Sequence, residues 1–397
     1  MLKNIDLELL KRTANEFFSI KELEEKIKNK KPLRIKYGVD VTAPFLHIGH
    51  AVNLWMMRHF QECGHKVIFL IGDFTTRIGD PTGKSQTRKI ISPEEIKKNS
   101  EEFIKQVKKV LLDDPQVFEI RKNSEWYDEM SLSEFLSLTS MMTHARLIQR
   151  DMFQKRISEN KEIFMHEMLY PVLQGYDSVM LKSDLTIVGN DQLFNELMGR
   201  FYQEKLGQDP QIIITTKITP GTDGKEKQSK SLGNYIALED SPKDKFGKIM
   251  SLPDDLIYSY FEVYTTTPTE QIKNLKHEIE SNNLNPMVAK KRLAEALVTR
   301  YHSKEIAQEE KDWFEKAFSS RQTPDDIPII IIQKNTPTID LLKRCMPNES
   351  KSFLIRLIKQ GGVRLNDQKI HENEQPDFKD QDILKIGKRH WFKLKLK

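Results

Sequence analysis

One stretch, Tyr37 to His50, constrains most of what this chain can fold into. Leu33, Ile35 and Tyr37 alternate with Arg34 and Lys36, which is the period of a strand. The strand breaks at Thr42-Ala43-Pro44, because Pro44 lacks an amide hydrogen and biases Ala43 away from the helical region. A helix is expected from Gly49 to about Cys63, with Val52, Leu54, Trp55, Met56 and Phe60 as its apolar members. Val67 to Ile71 is then apolar without interruption, as strands buried on both faces of a parallel sheet are. Strand, helix and strand at this spacing make a right-handed βαβ unit. Ligands of such sheets sit beyond the carboxyl ends of the strands.

The turn into that helix is suited to anions, since the first helical amides lack partners and the dipole is positive there. His47 and His50 lie within a turn of that end and can donate to phosphate oxygens, while Gly49 lets a flat ring approach the backbone. The target suggested is a nucleoside triphosphate. A lone histidine at a turn is more often a cap, so a second motif is needed.

A chain of 397 residues has room for two or three domains. No apolar run approaches the ~20 residues that span a bilayer, and the first twelve residues contain no apolar signal core. The two cysteines, Cys63 and Cys345, are far apart and show no metal-ligand spacing. The expectation is a cytoplasmic protein with no metal site of its own and no membrane. The net charge of +5 is too small alone to imply nucleic acid.

Taken in order, residues 2–31 read as helix. After the second strand, Gly72-Asp73 leads to Asp80, so Thr42, His47, Asp73 and Asp80 should face one crevice. Ser92-Pro93 looks like a helix start, and Ser131 to Met152 like one helix or two. In His166 to Leu181, Tyr170, Gln174 and Asp177 fall at i, i+4 and i+7, on one face of a helix. A phenol, an amide and a carboxylate on one buried stripe suit an α-amino group and a distal hydroxyl, since burying them without a polar ligand is costly. Leu185 to Val188 reads as strand, followed by Gly189-Asn190-Asp191-Gln192. Asn190 or Asp191 could cap the next helix, or an acid here could meet ribose hydroxyls. A last strand, Gln211 to Thr216, precedes the loop Gly221 to Asn234, in which Lys227 and Lys230 flank Ser229 and could close on a leaving pyrophosphate.

Beyond Pro242 the pattern is helical to about Phe318, and the polar, proline-containing stretch after it reads as a linker. From Lys351 onward there are 12 Lys and Arg against 6 Asp and Glu, so the tail carries the chain's positive excess. A basic helix with late strands suggests nucleic-acid backbone contact, through Arg356, Lys359, Arg364, Lys388 and Arg389.

The joint pattern resembles a class I aminoacyl-tRNA synthetase. His47-Ile48-Gly49-His50 matches the first signature letter for letter, and Lys227-Gln228-Ser229-Lys230-Ser231 resembles the second, with Gln228 in place of methionine. Within the class the chain is similar to the bacterial-type tyrosyl-tRNA synthetases. The supporting stretches are Gly38 to Pro44, Gly72 to Pro81, Asn123 to Trp126, Tyr170 to Asp177 and Asp191 to Asn195. The resemblance implies an α/β fold: a Rossmann-like catalytic domain at 1–235 with a helical insertion at about 74–170, and a helical anticodon-recognition domain at 236–320. A linker at 321–337 and a small α+β RNA-binding domain at 338–397 complete it.

It also implies roles. Asp80, Tyr170 and Gln174 would hold the tyrosine ammonium, Asp177 the phenol, and Gln192 the carboxylate. Lys36 stands where one branch of the family contacts the phenol with a tyrosine. His47, His50 and Thr42 would meet ATP phosphates, with Gly49 beside them. Asp191 would bind the ribose near Gly189 and Asp40, while Lys227, Ser229 and Lys230 would serve the transition state. ATP with Mg2+, L-tyrosine and tRNA(Tyr) are the implied partners, in a homodimer. Two alternatives stay open: a paralogue activating another aromatic amino acid, and a non-catalytic RNA-binding paralogue. Val41, where the family usually has proline, should loosen the turn before Thr42. Val188 and Asn190 also depart from the family pattern.

Overall fold

Six strands form the sheet on which the site is built: β1 (Ala14–Phe18), β2 (Arg34–Val39), β3 (Lys66–Ile71), β4 (Phe118–Lys122), β5 (Leu185–Gly189) and β6 (Ile212–Thr216). The computed structural model describes residues 2–29, 31–42, 45–80, 91–229, 231–319, 327–333, 336–366, 368–371, 376–387 and 390–397. They divide into two compact units, Met1–Ala307 and Gln308–Lys397.

The strand order is β1-β6-β5-β2-β3-β4. β2 pairs in parallel with β3 and with β5, and the sheet continues in parallel to β4 on one side and β6 on the other. The chain therefore winds outward in both directions from the β2–β5 junction, the switch point where such sheets open a crevice. β2 and β5 pair through only Ile35↔Leu185 and Lys36↔Thr186, so the two strands part early and the crevice begins low in the sheet.

Apolar side chains fill both sides of the sheet. Ile35, Val67, Phe69, Ile71, Leu185, Ile187, Ile212 and Ile214 are buried together with Leu54, Met57 and Phe60 of the helix Ile48–Glu62. On the other face Ile68 and Leu70 meet Trp126, Tyr127 and Leu173.

The expected helix over residues 2–31 is corrected. Leu7–Thr13 is a helix capped by Asp6, but Ala14–Phe18 is a strand, and Ile20–Lys28 is a second helix capped by Ser19. The cause is tertiary: the Ile212–Thr216 edge offers an antiparallel ladder, with Phe18↔Ile213 and Phe17↔Ile214, that outweighs local helix preference. The region 131–152 holds two helices, Leu132–Ser140 and His144–Ile148, followed by Asp151–Ser158. The predicted helix start at Ser92 is present: the Glu95 amide donates to its hydroxyl at 3.2 Å, and Pro93 opens the first turn. The helices Pro242–Met250, Ile257–Tyr264, Thr269–Glu280 and Pro286–Tyr301 follow in the same unit.

The second unit has a five-stranded sheet with order β7-β11-β10-β8-β9. Its strands are β7 (Ile329–Ile332), β8 (Val363–Leu365), β9 (Gln368–Lys369), β10 (Ile383–Ile386) and β11 (His390–Leu396). Leu341, Leu342, Leu354 and Ile358 of its two helices, Thr338–Cys345 and Lys351–Lys359, share a core with Val363, Leu384, Ile386 and Leu394.

Candidate active site

A cleft of about 640 Å³ opens at the carboxyl ends of β2, β3, β5 and β6. Lys36 and Asp40 come from β2 and the turn after it. Tyr170, Gln174 and Asp177 come from the helix Met165–Met180, Gly189 ends β5, and Asp191 and Gln192 follow it. His47, Gly49 and His50 enter from the helix Ile48–Glu62, and Thr42, Asp80, Lys227 and Ser229 complete the same lining. Lys230 lies outside the described residues.

The two histidines are organised by backbone. The Gly49 amide donates to His47 Nδ1 at 3.2 Å, and the His47 amide donates to His50 Nδ1 at 3.3 Å. Their ring centroids lie 3.8 Å apart. A β-carbon on residue 49 would stand 2.9 Å from His47 Nδ1, so only glycine lets that ring fold back over the helix start. Burial lowers His47 to about 2 and His50 to about 4, with the Lys227 ammonium pushing each in the same direction. Both rings are therefore neutral near pH 7. Since each Nδ1 accepts, each Nε2 carries the hydrogen and is free to donate. The chain beyond the lysine loop is joined to this helix start: the Ile48 amide donates to the Ile236 carbonyl at 2.9 Å and Leu238 to Leu46 at 3.0 Å.

Val41 does not loosen its turn. Its amide donates to Thr76 Oγ1 at 3.1 Å, a bond proline could not make, and its carbonyl accepts from Asn99 Nδ2 at 2.9 Å. Gln228 is buried, donating to the Tyr264 hydroxyl at 2.9 Å and accepting from the Ile236 amide at 3.4 Å. The Asn234 side chain ties the loop internally: it accepts from the Ser229 amide and donates to Asp223 and to the carbonyls of Glu226 and Lys227.

One wall of the cleft has its hydrogens already committed. The Tyr170 hydroxyl donates to Asp40 Oδ2 at 3.1 Å, and Gln192 Nε2 to Asp80 Oδ2 at 2.9 Å. Gln174 Nε2 donates to Glu196 Oε1 at 2.8 Å, while its Oε1 accepts from Asn195. With those hydrogens committed, the three cleft-lining side chains carry oxygen acceptors: the Tyr170 hydroxyl, the Gln174 carbonyl and the Asp80 carboxylate. That set suits an ammonium group. Deeper in, Asp177 Oδ1 accepts from Trp126 Nε1 at 3.0 Å, and Oδ2 from Asn123 Nδ2 at 3.4 Å. Burial raises the Asp177 carboxyl to about 7, against the lowering effect of the Lys36 charge.

Lys36 and Glu196 are 1% and 2% exposed and pair at 2.8 Å, a fully desolvated ion pair. Losing either partner would leave a buried charge, at a cost of about 3–5 kcal/mol. Sequence reading missed Glu196, Asn123 and Trp126 as members of this network. It also missed Arg150, a buried guanidinium under the influence of Asp80, Tyr170 and Asp191. Only the Asn123 to Trp126 stretch carried a signal, as part of a motif.

After β5, neither Asn190 nor Asp191 caps the next helix. Asn190–Gln192 forms a 3-10 turn, and Leu193–Lys205 starts without a side-chain cap bond. Asp191 instead folds back over Gly189, where a β-carbon would come within 2.6 Å of its carboxylate. The Asp191 side chain stays exposed at the rim.

In the second unit Arg356 and Lys359 are exposed on the helix Lys351–Lys359, and Arg364 is exposed on β8. Lys388 and Arg389 lie outside the described residues.

Residues 28–319 match the family model described as tRNA synthetases class I (W and Y). The chain is 42% identical to the tyrosine–tRNA ligase of Oleidesulfovibrio alaskensis over 391 residues, 98% of each chain. It is 41% identical to the tyrosine–tRNA ligase of Thermotoga maritima, over 98% of this chain and 96% of that one. A solved structure, a C-terminally truncated mitochondrial tyrosyl-tRNA synthetase of Aspergillus nidulans, shares the fold with a TM-score of 0.65 at 22% identity. That match covers 79% of this chain and 94% of the other.

Proposed function

The chain belongs to the class I tRNA synthetase family of the tryptophan and tyrosine type, and from that premise we propose how its cleft activates L-tyrosine with ATP and charges tRNA. The reaction is that of a tyrosine–tRNA ligase, in protein synthesis. The observation that carries the residue assignments is the cleft of about 640 Å³ at the β2–β5 switch point. It gathers an ammonium-accepting wall, a buried carboxylate and two neutral imidazoles.

Asp80, Tyr170 and Gln174 receive the tyrosine ammonium through oxygen lone pairs. Asp177 accepts the phenol hydrogen, and Gln192 orients the carboxylate. Lys36 sets the charge at the closed end. Asp40, Thr42, Gly49 and Gly189 shape the nucleotide side, and Asp191 meets the ribose at the rim. One tyrosine carboxylate oxygen attacks the α-phosphorus of ATP in line; the bond to the β-phosphate oxygen breaks, and pyrophosphate leaves. The Nε2 hydrogens of His47 and His50, with Lys227, Ser229 and Lys230, stabilise charge on the phosphates in the transition state. No covalent enzyme intermediate is needed. A terminal ribose hydroxyl of tRNA then takes the acyl group and releases AMP. Magnesium arrives with ATP, as part of the substrate.

Residues 1–235 act as the catalytic domain and 236–320 in anticodon recognition. The basic 338–397 region holds tRNA through Arg356, Lys359, Arg364, Lys388 and Arg389; β7, from the stretch expected as linker, is part of its sheet. The protein works in the cytoplasm as a homodimer. Support for dimerisation comes from Leu132, Leu136, Phe164 and Met165, which expose apolar side chains on neighbouring elements of one unit. Among the described residues no helix is long and apolar enough to cross a membrane.

The test is ATP–pyrophosphate exchange without tRNA, using tyrosine, phenylalanine and tryptophan. Exchange with tyrosine alone supports the assignment; exchange with none of the three overturns it.

A further inference from the structure

Glu196 has no role in the reaction as described so far, yet it is among the most heavily bonded acids lining the cleft. Its carboxylate takes Gln174 Nε2 on Oε1, and Gln211 Nε2 and Lys36 Nζ on Oε2, all at 2.8 Å. Two amides from different elements thus hold the acid in place, and the acid in turn holds Lys36. The Lys36 ammonium rises from β2 between the helices Met165–Met180 and Leu193–Lys205. Its second partner is Ser178 Oγ, at 2.7 Å. Ser178 is the neighbour of Asp177, whose carboxyl already feels the Lys36 charge. Asp177 Oδ1 accepts from Trp126 and Oδ2 from Asn123, and the Tyr127 side chain also bonds the carboxylate; two oxygens with two lone pairs each still leave room for one more donor.

We infer that Glu196 is a positioning residue for amino-acid selection: by holding the Lys36 amine it keeps that amine off Asp177, so the Asp177 carboxylate stays open to the substrate's phenol. Without Glu196, the buried ammonium must find another anion, and Asp177 is the carboxylate beside it. An amine seated on Asp177 occupies the oxygen the phenol needs. Glu196 also fixes the Gln174 amide: Gln174 Nε2 donates to Glu196, and Gln174 Oε1 accepts from Asn195. The inference rests on the tyrosine-activating reading and deepens it, by naming what sets tyrosine apart from phenylalanine.

The test is pyrophosphate exchange with tyrosine and with phenylalanine, for the full chain and for Glu196→Gln and Lys36→Met/Glu196→Gln. Glu196→Gln is expected to raise the tyrosine KM about ten- to a hundredfold, the value of one charged hydrogen bond. The kcat should change less, and the tyrosine-to-phenylalanine ratio of kcat/KM should fall. Adding Lys36→Met removes the displaced amine and should recover most of that ratio. A purely structural role for Glu196 would make the double variant no better than the single one. An unchanged ratio in Glu196→Gln, or no recovery in the double variant, overturns the inference. If Glu196→Gln does not fold, the same cycle with Glu196→Asp draws the carboxylate back and should lower the ratio in the same direction; an unchanged ratio there overturns the inference equally. Failure of the unmodified chain to exchange with tyrosine is a different result, and sinks the reading beneath it.

Discussion

The proposed role of Asp177 concentrates the specificity problem in one carboxyl group. A site built to bond a substrate hydroxyl rejects the analogue without it, because the buried partner is then left unpaired. Asp177→Ala should therefore lower the tyrosine-over-phenylalanine ratio by at least about a hundredfold, the upper value of a charged hydrogen bond; exchange assays with both amino acids measure it. The same group gives a pH signature. Its folded-state value of about 7 lies above the ordinary carboxyl value, so the unfolded chain loses that proton first. The stability it lends is full below pH ~4 and is lost as pH rises through ~7. In the role proposed for Asp177 tyrosine binding needs the ionised form, so kcat/KM for tyrosine should fall as pH drops from about 8 to about 6, and Asp177→Asn should flatten that profile. His47 and His50 stay neutral throughout this window, since burial holds them near 2 and 4. Tyr170, Gln174 and Asp177 were legible in the sequence because one helix carries all three at helical spacing. Glu196 was not. Its partner Lys36 is 160 positions away, and a lone glutamate inside a polar helix reads as solvent-facing until the pairing is seen.

At the scale of elements, the loop from Gly221 to Asn234 is shaped by one side chain. Asn234 bonds Ser229, Asp223, Glu226 and Lys227, so it sets where Lys227 stands relative to the histidines. Asn234→Ala should lower the exchange kcat about ten- to a hundredfold with little change in tyrosine KM, as expected when an interaction acts mainly in the transition state; steady-state exchange kinetics read both. The strands β2, β3, β5 and β6 were legible from uninterrupted apolar runs, and the helices after Pro242 from their period. β1 was not, because Asn15-Glu16-Phe17-Phe18 has no clear alternation and its pairing partner comes some 200 residues later. The expected looseness at Val41 failed for a related reason: Thr76 and Asn99, which hold its amide and carbonyl, belong to later segments.

At the scale of the molecule, the two compact units divide the labour proposed for them. A chain ending near residue 326 should keep tyrosine-dependent exchange and lose tRNA charging by at least about tenfold; equal charging by the shortened chain would remove the basic unit from the reaction. Leu136→Glu with Met165→Glu should convert the proposed dimer to a monomer in sedimentation, since each puts a charge into an apolar face. The edge strand of the catalytic sheet carries a consequence of a different kind, one of time. Ala14 pairs with Thr216, so β1 leaves the ribosome with no ladder until its partner has been made. At ~5–20 residues per second, that interval is roughly 10–40 s. The sheet must grow outward from β2 and β3 while its earliest segment waits, and the crevice is walled on both sides only when synthesis has passed the halfway point of the chain.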